Sequence, residues 1–189
     1  METKKNGVAR EALREFTAEI HQKLEVTPFG HRVFAEDFSA TELASILGRM
    51  VSVYRPLEAQ LVNKTPASSL NYRPRLPLLL AGLAALRAEP PSPMNDLNIQ
   101  LPDEPAARMG AIYVIEGSTM GGQKIYEQLA PRFSRETISF FFPHEEQTSA
   151  NWKAFRKELE ISLSTPESLN LAKTAAMDTF EKFHQILAN

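Results

Sequence analysis

One histidine of the sequence stands one helical turn before a carboxylate, in the stretch LREFTAEIHQKLE. On a helix, Glu25 lies close enough to His21 to accept a hydrogen bond from one ring nitrogen. The other nitrogen is then left to bind a metal as neutral imidazole. The alternative is an ordinary surface pair, and the spacing alone does not separate the two. The other three histidines share no metal-ligand spacing with His21 or with one another.

A second stretch, AIYVIEGSTMGGQKIYEQLA at 111–130, predicts one helix with three glycines in its middle. Each interior glycine costs about 1 kcal/mol relative to alanine, so the glycines need a reason to be there. Gly117 stacks on Gly121 and Ser118 on Gly122, which removes side chains along a strip of one face. Such a strip can seat a helix or the flat face of a large ligand, and a turn between two shorter helices is also open. The spacing fits neither common nucleotide-binding glycine pattern.

Helical periodicity supplies the elements that must carry these residues. It predicts a helix from Arg10 to Glu25, and SATE, a serine followed three residues later by glutamate, predicts another from about Ser39 to Val62, bent at Pro56. Further helices are predicted over 76–87, 111–130, 149–163 and 166–187, whereas 135–151 is open between short helix and extended chain. With no repeat and no strand–helix alternation, we expect an all-α single domain of six to eight helices over 1–189, flexible over about 1–9.

Composition narrows the function classes. The chain has 189 residues, a net charge of −2 and no cysteine. Interspersed charges argue against nucleic acid as a partner, and the lack of a long apolar run argues against a membrane span or secretory signal, so a cytoplasmic protein is expected. Without cysteine there is no disulfide, iron–sulfur cluster or cysteine nucleophile. Any metal must be held by histidine, carboxylate or a bound cofactor.

Taken together, LREFTAEIHQKLE and YVIEGSTMGGQ resemble the heme oxygenases, especially bacterial members whose glycine helix reads Y-V-x-E-G-x-x-x-G-G. YRPLEAQL, YRPRLPLLLAGLAAL and NWKAFRKEL occur in the expected order, so the resemblance covers nearly the whole chain. It implies the helical heme oxygenase-like fold and cleavage of heme b with O2 and external electrons to biliverdin, CO and Fe(II). It also implies no tightly bound flavin or nicotinamide, an electron donor such as ferredoxin or a flavoprotein reductase, and a biliverdin acceptor such as a phytochrome.

The resemblance assigns roles on both sides of the heme. His21 matches the histidine that binds the iron, and Glu25 matches the carboxylate that supports it. Gly117, Gly121 and Gly122 match the distal glycines, which allow O2 to bind at the iron and lean toward the heme edge. The glycines would therefore let a kinked helix lie across one heme face.

The resemblance also implies contacts to the heme propionates. Arg14 matches a basic residue of the first helix that meets a propionate, and Arg156 is expected to provide a second contact. Guanidinium suits this role because its donors bind a carboxylate in a bidentate manner. Lys153 and Lys157 are nearby candidates. For the three residues of the later helix, a solvated helix face is the alternative.

Further matched positions surround the pocket. Tyr54 and Phe183 match pocket residues and equally suit the core, and Thr17 and Tyr113, within the two matched motifs, are expected beside the heme. Ser118 departs from the animal-type pattern, in which an aspartate anchors a water molecule near the iron. A hydroxyl organises water less strongly than a carboxylate.

The Ser118 departure leaves open a non-catalytic heme sensor or carrier on the same fold. A thiaminase-like helical enzyme is disfavoured, because its chemistry uses a cysteine and this chain has none. A purely structural helical protein would leave both the glycine strip and the His21–Glu25 pair without a purpose.

Overall fold

The computed structural model describes residues 7–61, 72–92 and 97–188, and within these ranges it contains helices and no strand. The α-helices, in chain order, are α1 (Val8–Phe16), α2 (Ala18–Glu25), α3 (Pro28–Arg32), α4 (Ala40–Leu61), α5 (Leu76–Ala85), α6 (Pro105–Leu129), α7 (Arg135–Ile138), α8 (Thr148–Ser162) and α9 (Pro166–Leu187). The predicted all-α class is confirmed. Nine α-helices are thus described where six were located from the sequence, and the short helices α3 and α7 and the break after α1 account for the other three.

The helix predicted from Arg10 to Glu25 is divided at Thr17 into α1 and α2. The Thr17 hydroxyl donates to the carbonyl oxygen of Leu13 at 2.8 Å, the side-chain bond by which threonine bends helices. Backbone hydrogen bonds continue across the break, from Thr17 to Leu13 and from His21 to Thr17, each 3.0 Å long. The break at Thr17 therefore leaves the backbone hydrogen bonds of its neighbours in place.

The first helix begins at Val8, inside the segment expected to be flexible, while residues 1–6 lie outside the described ranges. Its start is held by Glu160 of α8, whose carboxylate oxygens accept from the backbone N–H groups of Ala9 and Arg10, both at 3.0 Å. The first N–H groups of a helix have no partner within the helix, and a carboxylate there also complements the helix dipole. Glu160 thus fixes α1 against α8.

The helix predicted from Ser39 is observed as α4, and Val62 lies outside the described residues. The capping box is confirmed, because the Glu42 carboxylate accepts from the Ser39 N–H at 2.8 Å and the Ser39 hydroxyl accepts from the Glu42 N–H at 3.2 Å. Pro56 lies inside the continuous helix, where its carbonyl oxygen accepts from the Gln60 side chain at 3.0 Å.

Helix α6 is the central element, and its most extensive partner is α9. Proline at the first position starts it at Pro105, six residues before the predicted start, and it continues through the glycines to Leu129. Gly110 lets the two backbones touch, since a Cβ at this position would lie only 2.1 Å from the carbonyl oxygen of Ala172. This contact fixes the early part of α6 on α9.

The remaining segments complete the enclosure of α6. The undecided stretch at 135–151 is helical in short pieces, with 3-10 turns at Ser139–Phe141 and Glu145–Gln147 around an irregular corner. The later helices agree with prediction to within a residue or two.

Along the described residues, no helix combines the length and the apolar character needed to cross a membrane.

Candidate active site

Two of the predicted glycines have room for a side chain, Gly121 in open space and Gly117 beside the Trp152 ring. A Cβ on Gly121 would meet no atom of the neighbouring described structure within 4 Å, and one on Gly117 would meet only the Trp152 ring, at an ordinary 3.8 Å. Gly121 and the nearby Ser118 are exposed. Helix packing therefore does not require glycine at 117 or 121, whereas a ligand lying against the backbone would.

The third predicted glycine has a different role. Gly122 is buried, and a Cβ there would lie 2.4 Å from the carbonyl oxygen of Phe141 in the 3-10 turn. The prediction that Gly122 belongs to the open strip is thus corrected, because its missing side chain lets this turn pack against α6. Gly110, which the sequence did not single out, plays the same part against α9.

The His21 side chain projects from α2 with 56% of its surface exposed. Its Nδ1 lies 3.4 Å from Oε1 of Glu25, which is within ion-pair range but longer than an ordinary hydrogen bond. The ring meets the edge of Phe180 on α9, with centroids 5.7 Å apart. Glu25 and Phe180 thus orient the ring, and Nε2 is the nitrogen left to bind a metal.

The segments that carry His21 and the glycines meet where Thr17 lies next to Tyr113 of α6, close enough for its hydroxyl to act on the pKa of the phenol. Burial raises the pKa of the Tyr113 phenol, and the Thr17 contact opposes this rise. His21 lies one turn after Thr17 on one helix, and Gly117 lies one turn after Tyr113 on the other. The histidine and the open strip therefore both begin one turn beyond the same contact.

Aromatic side chains form the wall behind the strip. Tyr54 of α4 is buried, with its ring 5.3 Å from Phe183 and 5.4 Å from Phe140, centroid to centroid. Burial raises the pKa of the Tyr54 phenol, and the nearby Ser118 hydroxyl acts in the opposite direction. Phe183 is buried in the same helix as Phe180. Tyr54 is thus a core residue that also lies near Ser118, and Phe183 is a core residue that packs on Tyr54.

Basic residues gather at one rim, where α8 runs antiparallel to α1. Glu160 meets the start of α1, while Trp152 lies 6.3 Å, ring to ring, from Tyr113, which contacts Thr17 after the end of α1. Arg156 lies between Trp152 and Glu160 at four-residue spacing and is exposed.

Two arginines of α1 complete this rim. Arg14 and Arg10 both lie close enough to Tyr113 for their charges to lower the pKa of its phenol. Arg10 was not predicted, although it stands four residues before Arg14 on the same helix. Lys153 and Lys157 are exposed on α8 and stay candidates.

The arrangement fits heme. In the described part of the chain, no three histidine or carboxylate side chains are grouped to hold a bare metal ion, so iron at His21 would need its other ligands from a cofactor. The open strip and the aromatic wall suit a flat apolar ring, and the arginines suit its propionates. The described residues thus form an all-helical fold in which an exposed histidine and a glycine strip lie on two helices, beside aromatic and basic side chains.

Comparisons with known proteins agree with the family resemblance of the sequence. The family model for heme oxygenase matches residues 8–189. A heme oxygenase of Xanthomonas campestris pv. campestris (strain 8004) is 32% identical over 127 residues, which is 64% of this chain and 72% of that protein. The chain belongs to the heme oxygenase family, whose general activity is the degradation of heme.

Solved structures show the same fold. The heme oxygenase of Leptospira interrogans superposes with a TM-score of 0.73 at 19% identity, covering 95% of this chain and 98% of that one. The heme oxygenase of Neisseria meningitidis, solved with bound NO and CO, superposes with a TM-score of 0.65 at 23% identity, covering 95% and 89%. At these identities the likeness extends to the fold and not to individual site residues.

Proposed function

We propose that the protein cleaves heme b with O2 and external electrons to biliverdin, CO and Fe(II). The observation that carries this proposal is the pairing of an exposed histidine with an open glycine strip on two helices joined by the Thr17–Tyr113 contact. His21 is the proposed iron ligand. Gly117 and Gly121 are proposed to leave the opposite heme face free for O2.

Each remaining side chain has a role in binding or orientation. Glu25, 3.4 Å from Nδ1 of His21, would orient the ring from that side and leave Nε2 to bind the iron. Heme, when bound, would supply the activation of O2, and the protein would hold it through His21 and supply its orientation and polar surroundings. Ser118 and Tyr54 are the hydroxyl groups beside the strip, and we assign to them the ordering of water that delivers protons.

The arginine rim is proposed to fix the orientation of the ring in its plane. Arg14 and Arg156 are the predicted propionate partners, and Arg10 joins them on the strength of its place beside Tyr113. Guanidinium groups bind carboxylates in a bidentate manner, so the rim constrains which edge of the ring points outward. The orientation of the ring in turn determines which meso carbon is attacked.

The proposed reaction needs partners. Electrons would come from a separate donor such as ferredoxin or a flavoprotein reductase, and an acceptor such as a phytochrome would take up the biliverdin. Cytoplasmic placement also belongs to the proposal.

A heme titration with and without His21 tests the proposal. Wild type, His21→Ala and, as a matched control, His31→Ala are titrated with heme and then supplied in air with a ferredoxin reductase system. His31 is also exposed, but lies on α3. We expect the Soret band of wild type and His31→Ala to decay into biliverdin absorption, and His21→Ala to lose this conversion. Heme that binds through His21 and survives reduction in air would instead indicate a carrier or sensor.

A further inference from the structure

A buried ionic cluster lies directly behind the glycine strip. The Glu116 carboxylate binds Arg75 Nη2 through Oε1 at 2.9 Å and His144 Nε2 through Oε2 at 3.0 Å. The three side chains are only 2–6% exposed. The same Nε2 of His144 lies 3.2 Å from Arg75 Nη2, so each of the three side chains contacts the other two. The cluster thus joins α6, the segment before α5 and the corner between the two 3-10 turns.

A second carboxylate fixes the arginine from its backbone side. Glu58 of α4 accepts from the N–H groups of Arg75 and Leu76, at 2.5 and 3.0 Å, and from the Tyr72 hydroxyl at 2.6 Å. These N–H groups stand at the start of α5, where no partner exists within the helix. Arg75 also donates from Nη1 to the carbonyl oxygen of Arg73 at 2.6 Å. Both the backbone N–H and the guanidinium group of Arg75 therefore have hydrogen-bond partners other than Glu116.

Net stabilisation does not explain such a cluster. Removing charges from water costs several kcal/mol per ion, and replacing a buried ion pair with apolar residues is often neutral or stabilising. The best-attested use of a buried polar group is to specify register, because only one alignment satisfies all of its partners. The cluster therefore specifies the register of α6 at Glu116, the residue immediately before Gly117.

We propose that Glu116, Arg75 and His144 are positioning residues that fix α6 so that Gly117 and Gly121 face the heme. The inference rests on the proposed function and assigns no contact with heme to the cluster. The three residues come from separate segments, so a slip or rotation of α6 by one residue would break both contacts of the Glu116 carboxylate at once. The turn that carries the open strip is thereby locked in register.

The chain contains a reporter for this register. Trp152 is its single tryptophan, and the indole lies against the position of Gly117. Fluorescence of the heme-free protein therefore reports how α6 sits at the strip. We would measure the emission and acrylamide quenching of Trp152 for wild type, Glu116→Gln and His144→Gln. Each protein would be measured under conditions in which it is fully folded. In the heme-loaded protein, the infrared C–O stretch of the CO complex reports the same strip from the ligand side.

Leu43→Val serves as the control for a loss of stability alone. Leu43 is fully buried in α4, eleven residues before Tyr54, which is about 16 Å along the helix axis. We expect both cluster variants to redshift and further expose Trp152 and to broaden or split the C–O band, while Leu43→Val does neither. If Glu116→Gln does not fold, His144→Gln decides.

A cluster variant with lowered stability but wild-type Trp152 quenching and a wild-type C–O band would overturn the inference and leave the cluster merely structural. Failure of the wild type to bind heme would overturn the proposed function and, with it, the purpose given to the register. The Trp152 measurement needs no heme, so the two failures are told apart.

Discussion

Alanine substitutions at Gly121 and Gly122 are expected to change stability in opposite directions. Both glycines lie inside α6, so alanine raises helix propensity at either position by about 0.5–1 kcal/mol. At Gly121 the new Cβ meets nothing within 4 Å, and the gain is kept. For a chain of this length, Tm then rises by about 1–4 °C.

At Gly122 the new Cβ would lie 2.4 Å from the Phe141 carbonyl oxygen, which belongs to the backbone and cannot rotate away. Overpacking of this kind costs about 1–3 kcal/mol and outweighs the gain in propensity. Thermal unfolding of the heme-free variants, followed by circular dichroism, measures both effects. A shift of the same sign in both variants would refute the division of the glycines into open and packed positions.

The same Gly121→Ala variant tests the ligand face. Its methyl group would project into the space assigned to heme and O2, so we expect slower conversion of heme and a changed distribution of biliverdin isomers in a protein that is more stable than wild type. Unchanged rate and isomer distribution would show that heme does not lie on this strip.

Three further predictions concern the elements around the strip. Glu160→Gln removes the charged cap of α1 and should lower the free energy of unfolding by about 1 kcal/mol, measured by urea denaturation against Glu158→Gln. Hydrogen bonds from Ser39 and Arg32 lower the pKa of Glu42 from 4.5 to about 2. The contribution of Glu42 to the free energy of unfolding is therefore present above pH 4.5 and is lost as the pH falls toward 2. Stability of Glu42→Gln should therefore depend less on pH in this window. Arg14→Ala and Arg156→Ala should each raise the Kd for heme about threefold to tenfold, less at high salt, and an undiminished affinity in both would remove the arginine rim from the site.

Local patterns predicted most of the helices because their signals are local. The Ser39–Glu42 capping box marks the start of α4 within four residues of sequence, and apolar periodicity marks α8 and α9. The division at Thr17 carried no such signal. Threonine is tolerated inside helices, where its hydroxyl can make the local bond seen here to Leu13, and the approach of Thr17 to Tyr113 forms only when α6 is in place.

The candidate site divides in the same way. The His21–Glu25 and Gly117–Gly121 pairs were found from the sequence because the members of each pair are one helical turn apart. The family resemblance then assigned a function to each pair. The buried cluster did not stand out, since Glu116 is 41 residues from Arg75 and 28 from His144 along the chain. Gly122 was misjudged for a related reason, because the segment that packs on it contains Phe141, in a stretch whose conformation the sequence left undecided.

Helix α6 must meet two opposed demands within four turns. At Gly110 and Gly122 the absence of a side chain lets another backbone approach α6. At Gly117 and Gly121 the absence of a side chain leaves room on one face of the helix. Four glycines cost about 4 kcal/mol of helix propensity, so the segment cannot owe its helical state to its own sequence. It owes that state to α9 and the 3-10 turn at the packed glycines and to the ion cluster at Glu116. The empty face therefore lies between anchored points, which is the condition under which a surface without side chains keeps a defined shape.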